Sequence, residues 1–296
     1  MNMRALICSL CLALSLLSLA CSAFAQQPPS IESVVAALNK QETASGASLD
    51  VVCTWGALTS PKAGDGRFEI RYVRTPRVLF MVETQGRYDS TGNWAAYETD
   101  RCVYNRATKE YRELGTAASG ASIGARLSTN GGPNRFTSDP IPDVIFKPLL
   151  DKPLFQIIAS GTVSKQQELV DGAMCWRVDI PQRRVDSNQG SSVAWSIWLD
   201  PQIDLCPRKI AEKYGRDGTA SNTITQVFAD YKSFEGGVRL PMSQTVYFDD
   251  TLTDGSRIEV KKVTVGKQIP DSELSVEFPK GTRILMLPEG NYVTVP

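Results

Sequence analysis

Few residues in this sequence have the types and spacing that chemistry requires. Gly120-Ala121-Ser122-Ile123-Gly124 fits G-x-S-x-G, the nucleophile elbow of α/β-hydrolases. An elbow works at a strand-to-helix turn and needs a histidine to take the serine proton. The chain has no histidine, and the motif lies among Gly, Ala, Ser and Thr residues, so it reads as a flexible loop. The same absence removes Cys–His nucleophiles, His general bases and H-E-x-x-H zinc sites. Asp249-Asp250 with Asp254-Gly255 misses the EF-hand spacing and suits a hairpin turn better than a calcium loop. No P-loop occurs. Serine–lysine or paired-carboxylate hydrolysis stays formally open, but the acids are scattered over strand faces and turns. The expectation is a non-enzyme with no catalytic residue, no metal and no cofactor.

Seven cysteines divide into two groups. Cys8, Cys11 and Cys21 fall in an N-terminal segment with the marks of an export signal. Arg4 supplies the positive charge, Ala5 to Ala20 is apolar apart from Ser and Cys, and Ala23-Phe24-Ala25 offers an A-x-A cleavage site. Cleavage there makes residues 1–25 a signal peptide and the mature protein periplasmic or otherwise extracytoplasmic. A second ending competes, because Leu19-Ala20-Cys21 resembles a lipobox in which Cys21 would carry lipid. Nothing beyond this segment is long and apolar enough to span a bilayer. Cys53, Cys102, Cys175 and Cys206 then remain, an even number in an oxidising compartment. Loop closure favours Cys53–Cys102 with Cys175–Cys206; four buried free thiols are the other reading.

Positioning falls to strands. Met174–Ile180, Ser192–Asp200 and Cys206–Tyr214 are three short alternating runs bounded by turn residues, the pattern of consecutive antiparallel strands. Earlier, Ser30 can cap a helix that reaches about Gln41 and carries Ile31, Val34, Val35 and Leu38 on one face. Runs at Leu49–Leu58, Arg67–Arg74, Arg77–Thr84, Trp94–Thr99, Arg101–Asn105 and Glu110–Leu114 read as a meander. Periodicity fails from Thr116 to Asp139, which reads as a flexible insertion. Pro142–Leu150 looks like a short amphipathic helix, and Phe155–Val163 is ambiguous between helix and strand. Further strands are expected at Asn222–Tyr231, Leu240–Phe248, Arg257–Gly266 and Leu274–Phe278, with a hairpin-like turn at Phe234-Glu235-Gly236-Gly237.

The sum is an α+β, mainly β chain: one domain from residue 26 to 296, an open antiparallel half-barrel of about ten strands with capping helices. Hydrophobic residues make up 42% of the sequence, enough for one large core. Lys+Arg and Asp+Glu balance at 32 each, so no global field draws the chain to nucleic acid. What is left to explain is apolar surface. A sheet without a partner sheet must curl and fill its hollow with side chains or with a ligand. The residues that would line such a hollow are Trp55, Phe68, Ile70, Tyr72, Phe80, Trp94, Trp195, Ile197 and Leu199, with Phe146 on the helix that would plug it. A filled core is the alternative for each of them.

Several stretches carry a family resemblance. Leu169–Ile180 (LVDGAMCWRVDI), Trp195–Ile210 (WSIWLDPQIDLCPRKI), Phe234–Pro241 (F-x-G-G-V-R-L-P) and Ile269–Ile284 (IPDSELSVEFPKGTRI) resemble the LolA/LolB/RseB superfamily of lipoprotein-sorting and lipid-binding proteins. The likeness is to its longer outer membrane lipoprotein-sorting members and covers mainly residues 160–285, with weaker agreement from 30 to 115. It implies a half-barrel that binds lipid or lipoprotein acyl chains, with a strand suited to the carrier's lid-locking arginine at Arg67 or Arg71. Two functions follow as expectations: a carrier or chaperone shielding acyl chains, or an RseB-type envelope module that reads a protein partner without moving cargo.

Overall fold

The computed structural model describes residues 27–44, 48–58, 62–129, 154–184, 191–216, 219–248 and 255–296. The expected signal segment, the Pro142–Leu150 helix with Phe146, and the Asp249–Asp254 corner lie outside them. Helix α1 spans Ile31–Ala44. Its start follows the sequence signal: the Ser33 amide donates to Ser30 Oγ at 3.2 Å, which satisfies a first-turn N–H. Val34 and Leu38, one turn apart, are buried.

Strands follow: β1 (Leu49–Ala57), β2 (Gly66–Arg74), β3 (Val78–Tyr88), β4 (Trp94–Asn105), β5 (Glu110–Ala117) and β6 (Ser122–Ser128). The short helix α2 (Leu154–Ile158) leads into β7 (Thr162–Val170), β8 (Ala173–Arg184), β9 (Ser191–Asp200), β10 (Cys206–Arg216) and β11 (Thr219–Ala229). A small hairpin of β12 (Lys232–Ser233) and β13 (Arg239–Leu240) precedes β14 (Ser243–Phe248), β15 (Gly255–Val265), β16 (Arg283–Leu287) and β17 (Tyr292–Thr294).

Fifteen of these strands form one sheet in the order β17-β16-β6-β5-β4-β3-β2-β1-β15-β14-β11-β10-β9-β8-β7. Among the described residues the first and last strands do not pair, so the sheet is open rather than a closed barrel. This is more strands than the expected ten. Neighbours are antiparallel, except that β16 lies parallel to β6 with Leu285 opposite Arg126. The long-range seam joins β1 to β15, Leu49 opposite Val265.

Two differences from the sequence expectation have clear causes. The unpatterned stretch after Thr116 contains β6, paired to β5 with Leu114 opposite Ala125. Its small residues hide the alternation that side-chain size usually reveals. Conversely, Leu274–Phe278 is not a strand. A 3₁₀ turn at Asp271–Leu274 opens an extended strap that packs Leu274 and Val276 onto Val73, Phe80, Val103 and Leu114. Residues that bury every second side chain against a sheet face show strand periodicity without any ladder.

The sheet is apolar on both sides because each side is covered. The strap covers one. Helices α1 and α2 lie on the other, where the larger core runs through Leu49, Ile70, Val178, Ile197, Phe228 and Ile258.

Candidate functional site: the helix-covered face of the sheet

Period-two geometry sorts the expected lining residues. Trp55, Phe68, Ile70, Tyr72, Trp195, Ile197 and Leu199 all belong to the core on the helix-covered face. Trp55 and Phe68 are opposite each other on β1 and β2. Their rings stack with centroids 4.6 Å apart. Two residues go elsewhere. Phe80 belongs to the strap-side core; the run Val78–Val82 is apolar at every position, so alternation cannot say which residues face which way. Trp94 lies across Gly86, where a Cβ would come within 2.3 Å of its ring, and donates from Nε1 to the Arg67 carbonyl at 3.3 Å. The Arg67 guanidinium sits 5.5 Å from the Trp94 ring centroid. Neither Phe80 nor Trp94 therefore joins the helix-covered face.

Both arginines suited to a lid lock also point to the strap side. Arg71 donates twice to Asp50, at 3.1 and 2.9 Å, and lies 3.9 Å from Glu273 on the strap. The hydrogen bond to Asp50 raises its pKa. Arg67 bonds Tyr88 and Glu69.

The apolar field on the helix-covered face gives way to polar groups that the sequence reading missed. On β10, Glu212 accepts from the Tyr214 hydroxyl at 2.6 Å and from Gln226 Nε2 at 2.9 Å. Gln244 Nε2 in turn donates to Gln226 Oε1 at 2.8 Å. Burial, with the Glu212 charge second, pushes the Tyr214 phenol well above its usual range. A matching pair stands on β3, where Gln85 Nε2 donates to Glu83 at 3.1 Å. On β5 the Tyr111 hydroxyl donates to Glu113 at 3.0 Å, and Arg126 lies 3.4 Å from the same carboxylate. Alternation alone places polar residues on the wet side of a strand. Only the cross-strand partners reveal that these point inward.

The four cysteines among the described residues, Cys53, Cys102, Cys175 and Cys206, are free and buried. The favoured pairings do not form, for a geometric reason. Cys175 and Cys206 sit on β8 and β10 with β9 between them, and Cys53 and Cys102 sit on β1 and β4 with two strands between. Even one intervening strand separates Cα atoms by about 9.5 Å along the sheet, beyond disulfide reach. Desolvation pushes the Cys53, Cys175 and Cys206 thiols up to about 12. Among the described residues no three Cys, Asp or Glu come together as metal ligands. The G-x-S-x-G stretch forms the β5–β6 hairpin, where the Gly120 amide donates to the Ala117 carbonyl. It is a strand-to-strand turn, not an elbow. Two pockets, of about 410 and 350 Å³, lie toward the strap side, the first rimmed by Arg67, Arg257, Glu259 and Lys261, the second by strap residues.

No family model and no curated protein matches this sequence. Solved structures do. A DUF1329 family protein from Desulfovibrio piger aligns over 84% of this chain and 98% of its own, with a TM-score of 0.50 and 10% identity. A LolA superfamily protein from Nitrosomonas europaea aligns over 81% of this chain and 96% of its own, with a TM-score of 0.43 and 10% identity. At such identity the likeness is one of fold alone. The chain shares its fold with a DUF1329 family protein.

Proposed function

We propose that this protein is an extracytoplasmic carrier or chaperone that shields the acyl chains of a lipid or lipoprotein against the helix-covered face of its sheet, curled as a half-barrel. One observation carries the reading. A continuous apolar field spans the sheet from β4 to β8 under two described α-helices and the small β12–β13 hairpin, and α2 has five residues. A cover that small can be displaced, and each methylene that takes its place contributes roughly 0.8 kcal/mol of burial. The A-x-A segment supports export. Among the described residues, no helix is long and apolar enough to cross a membrane.

Native mass spectrometry of protein purified from its own envelope tests the reading. Bound lipid that leaves on delipidation is expected. A clean apo mass, together with no uptake of added lipid, would end it. A stable protein partner recovered without any lipid would instead support the RseB-type reading.

A further inference from the structure

Within the apolar field, two buried polar atoms have no hydrogen-bond partner among the described residues: the Trp195 indole Nε1 and the Gln244 side-chain Oε1. Trp195 is 3% exposed and Gln244 2%, so bulk solvent does not serve them. Leaving such groups unmet costs each of them a desolvation penalty. The orientation of Gln244 follows from its neighbours. As a carboxylate, Glu212 can only accept, so Gln226 turns its amide nitrogen to it. Gln226 Oε1 then receives Gln244 Nε2. The relay thus ends in an acceptor with nothing to accept. At Trp195 the chemistry is opposite, because an indole N–H can only donate.

The two atoms belong to one surface. Trp195 lies between Ile180 on β8 and Glu212 on β10. Gln244 lies between Phe228 on β11 and Ile258 on β15, the neighbour of Trp55. Strands β9, β10, β11 and β14 are consecutive in the sheet, and the register row of Trp195 passes through Glu212 and Ile224 to Phe248, four residues along β14 from Gln244. Three strand spacings across and four residues along, roughly 19 Å in all, therefore separate the donor from the acceptor. Ile180 beside Trp195, and Phe228 and Ile258 beside Gln244, favour a neutral group at each end, and Glu212 opposite Trp195 disfavours an anion there. A buried cation beside Gln244 would cost far more.

We propose that Trp195 and Gln244 are the two polar anchors of a binding subsite for a neutral acyl lipid, one that presents a carbonyl to the indole N–H and a free hydroxyl or amide N–H to the Gln244 oxygen. This rests on the acyl-chain reading above and narrows it. Ligands with both groups bind better than bare hydrocarbon chains of the same length.

Three probes separate the contributions when their binding is followed by displacement of a fluorescent apolar dye. Methyl 16-hydroxypalmitate carries a carbonyl and a hydroxyl at opposite ends of its chain, methyl palmitate carries a carbonyl only, and hexadecane carries neither. Trp195→Phe keeps the ring and removes the N–H. It is expected to weaken methyl 16-hydroxypalmitate and methyl palmitate by about three- to tenfold, the range for one neutral hydrogen bond, and to leave hexadecane unchanged. Gln244→Met is expected to weaken methyl 16-hydroxypalmitate alone by a similar factor. Thermal melts confirm that each variant is folded, and Gln244→Glu, which keeps an acceptor, should retain more affinity than Gln244→Met. Equal losses for all three probes, or none, would overturn the subsite while leaving the apolar reading intact. Failure of the wild-type protein to bind any probe would overturn both.

Discussion

A thiol stranded between strands behaves differently from one facing a partner. Cys53, Cys175 and Cys206 are held as neutral thiols because burial penalises the thiolate, which takes the pKa from 9.0 to about 12. The sign for stability follows. Each folded-state value is raised, so its contribution is fully present below pH 9.0 and is lost as pH climbs through that value toward 12. The urea midpoint should therefore hold steady up to about pH 8.5 and fall beyond it. Native protein at pH 8 should resist an aromatic disulfide reagent, and the same sample in denaturant should expose Cys53, Cys102, Cys175 and Cys206 to it. A non-reducing mass short by four hydrogens would show that disulfides form after all. Parity of cysteine count was the legible signal here; the strand order that keeps the sulfurs apart is set by pairings remote in sequence.

At the scale of elements, the strap and α1 do comparable work on opposite faces. Leu274 is 3% exposed and Val276 2%, packed on Val73, Phe80 and Leu114. Truncating Leu274 to Ala should cost about 2–4 kcal/mol, read from urea denaturation, through lost transfer energy and the cavity left behind. Removing the ion pair between Arg77 and Asp271, 3.4 Å apart and about two-thirds exposed on both sides, should cost under about 1 kcal/mol. If the charge change proved the larger, the strap would be held by its surface rather than its core.

The same elements show what the sequence made readable. Strands such as β2 and β9 alternate cleanly because one face is apolar and the other largely polar, and Ser30 announces α1 by its capping chemistry. The strap mimics a strand, β6 lacks contrast, and β3 is apolar throughout. In each case the missing information is the identity of the opposing surface. For the candidate site, the seven core-facing residues were legible from period-two placement. The relay of Tyr214, Glu212, Gln226 and Gln244 was not, since it exists only through pairings across β10, β11 and β14.

For the whole molecule, the governing fact is the seam between β1 and β15. Leu49 through Ala57 is bordered on one side by β2 and on the other by residues 256–265. The sheet thus has no half that is complete without the far end of the chain, and its contacts are strongly non-local. Circular dichroism and tryptophan fluorescence should report one coincident unfolding transition. A chain ended after Tyr231 should fail to fold. Two separated transitions would show that the meander from β1 to β6 is a unit of its own.

That seam has a consequence for synthesis. A polypeptide made from its N-terminus offers β1 first, yet one flank of β1 stays bare until residues 255–265 have emerged. Premature compaction of the sheet is thereby discouraged. Closure of the seam waits for the arrival of β15.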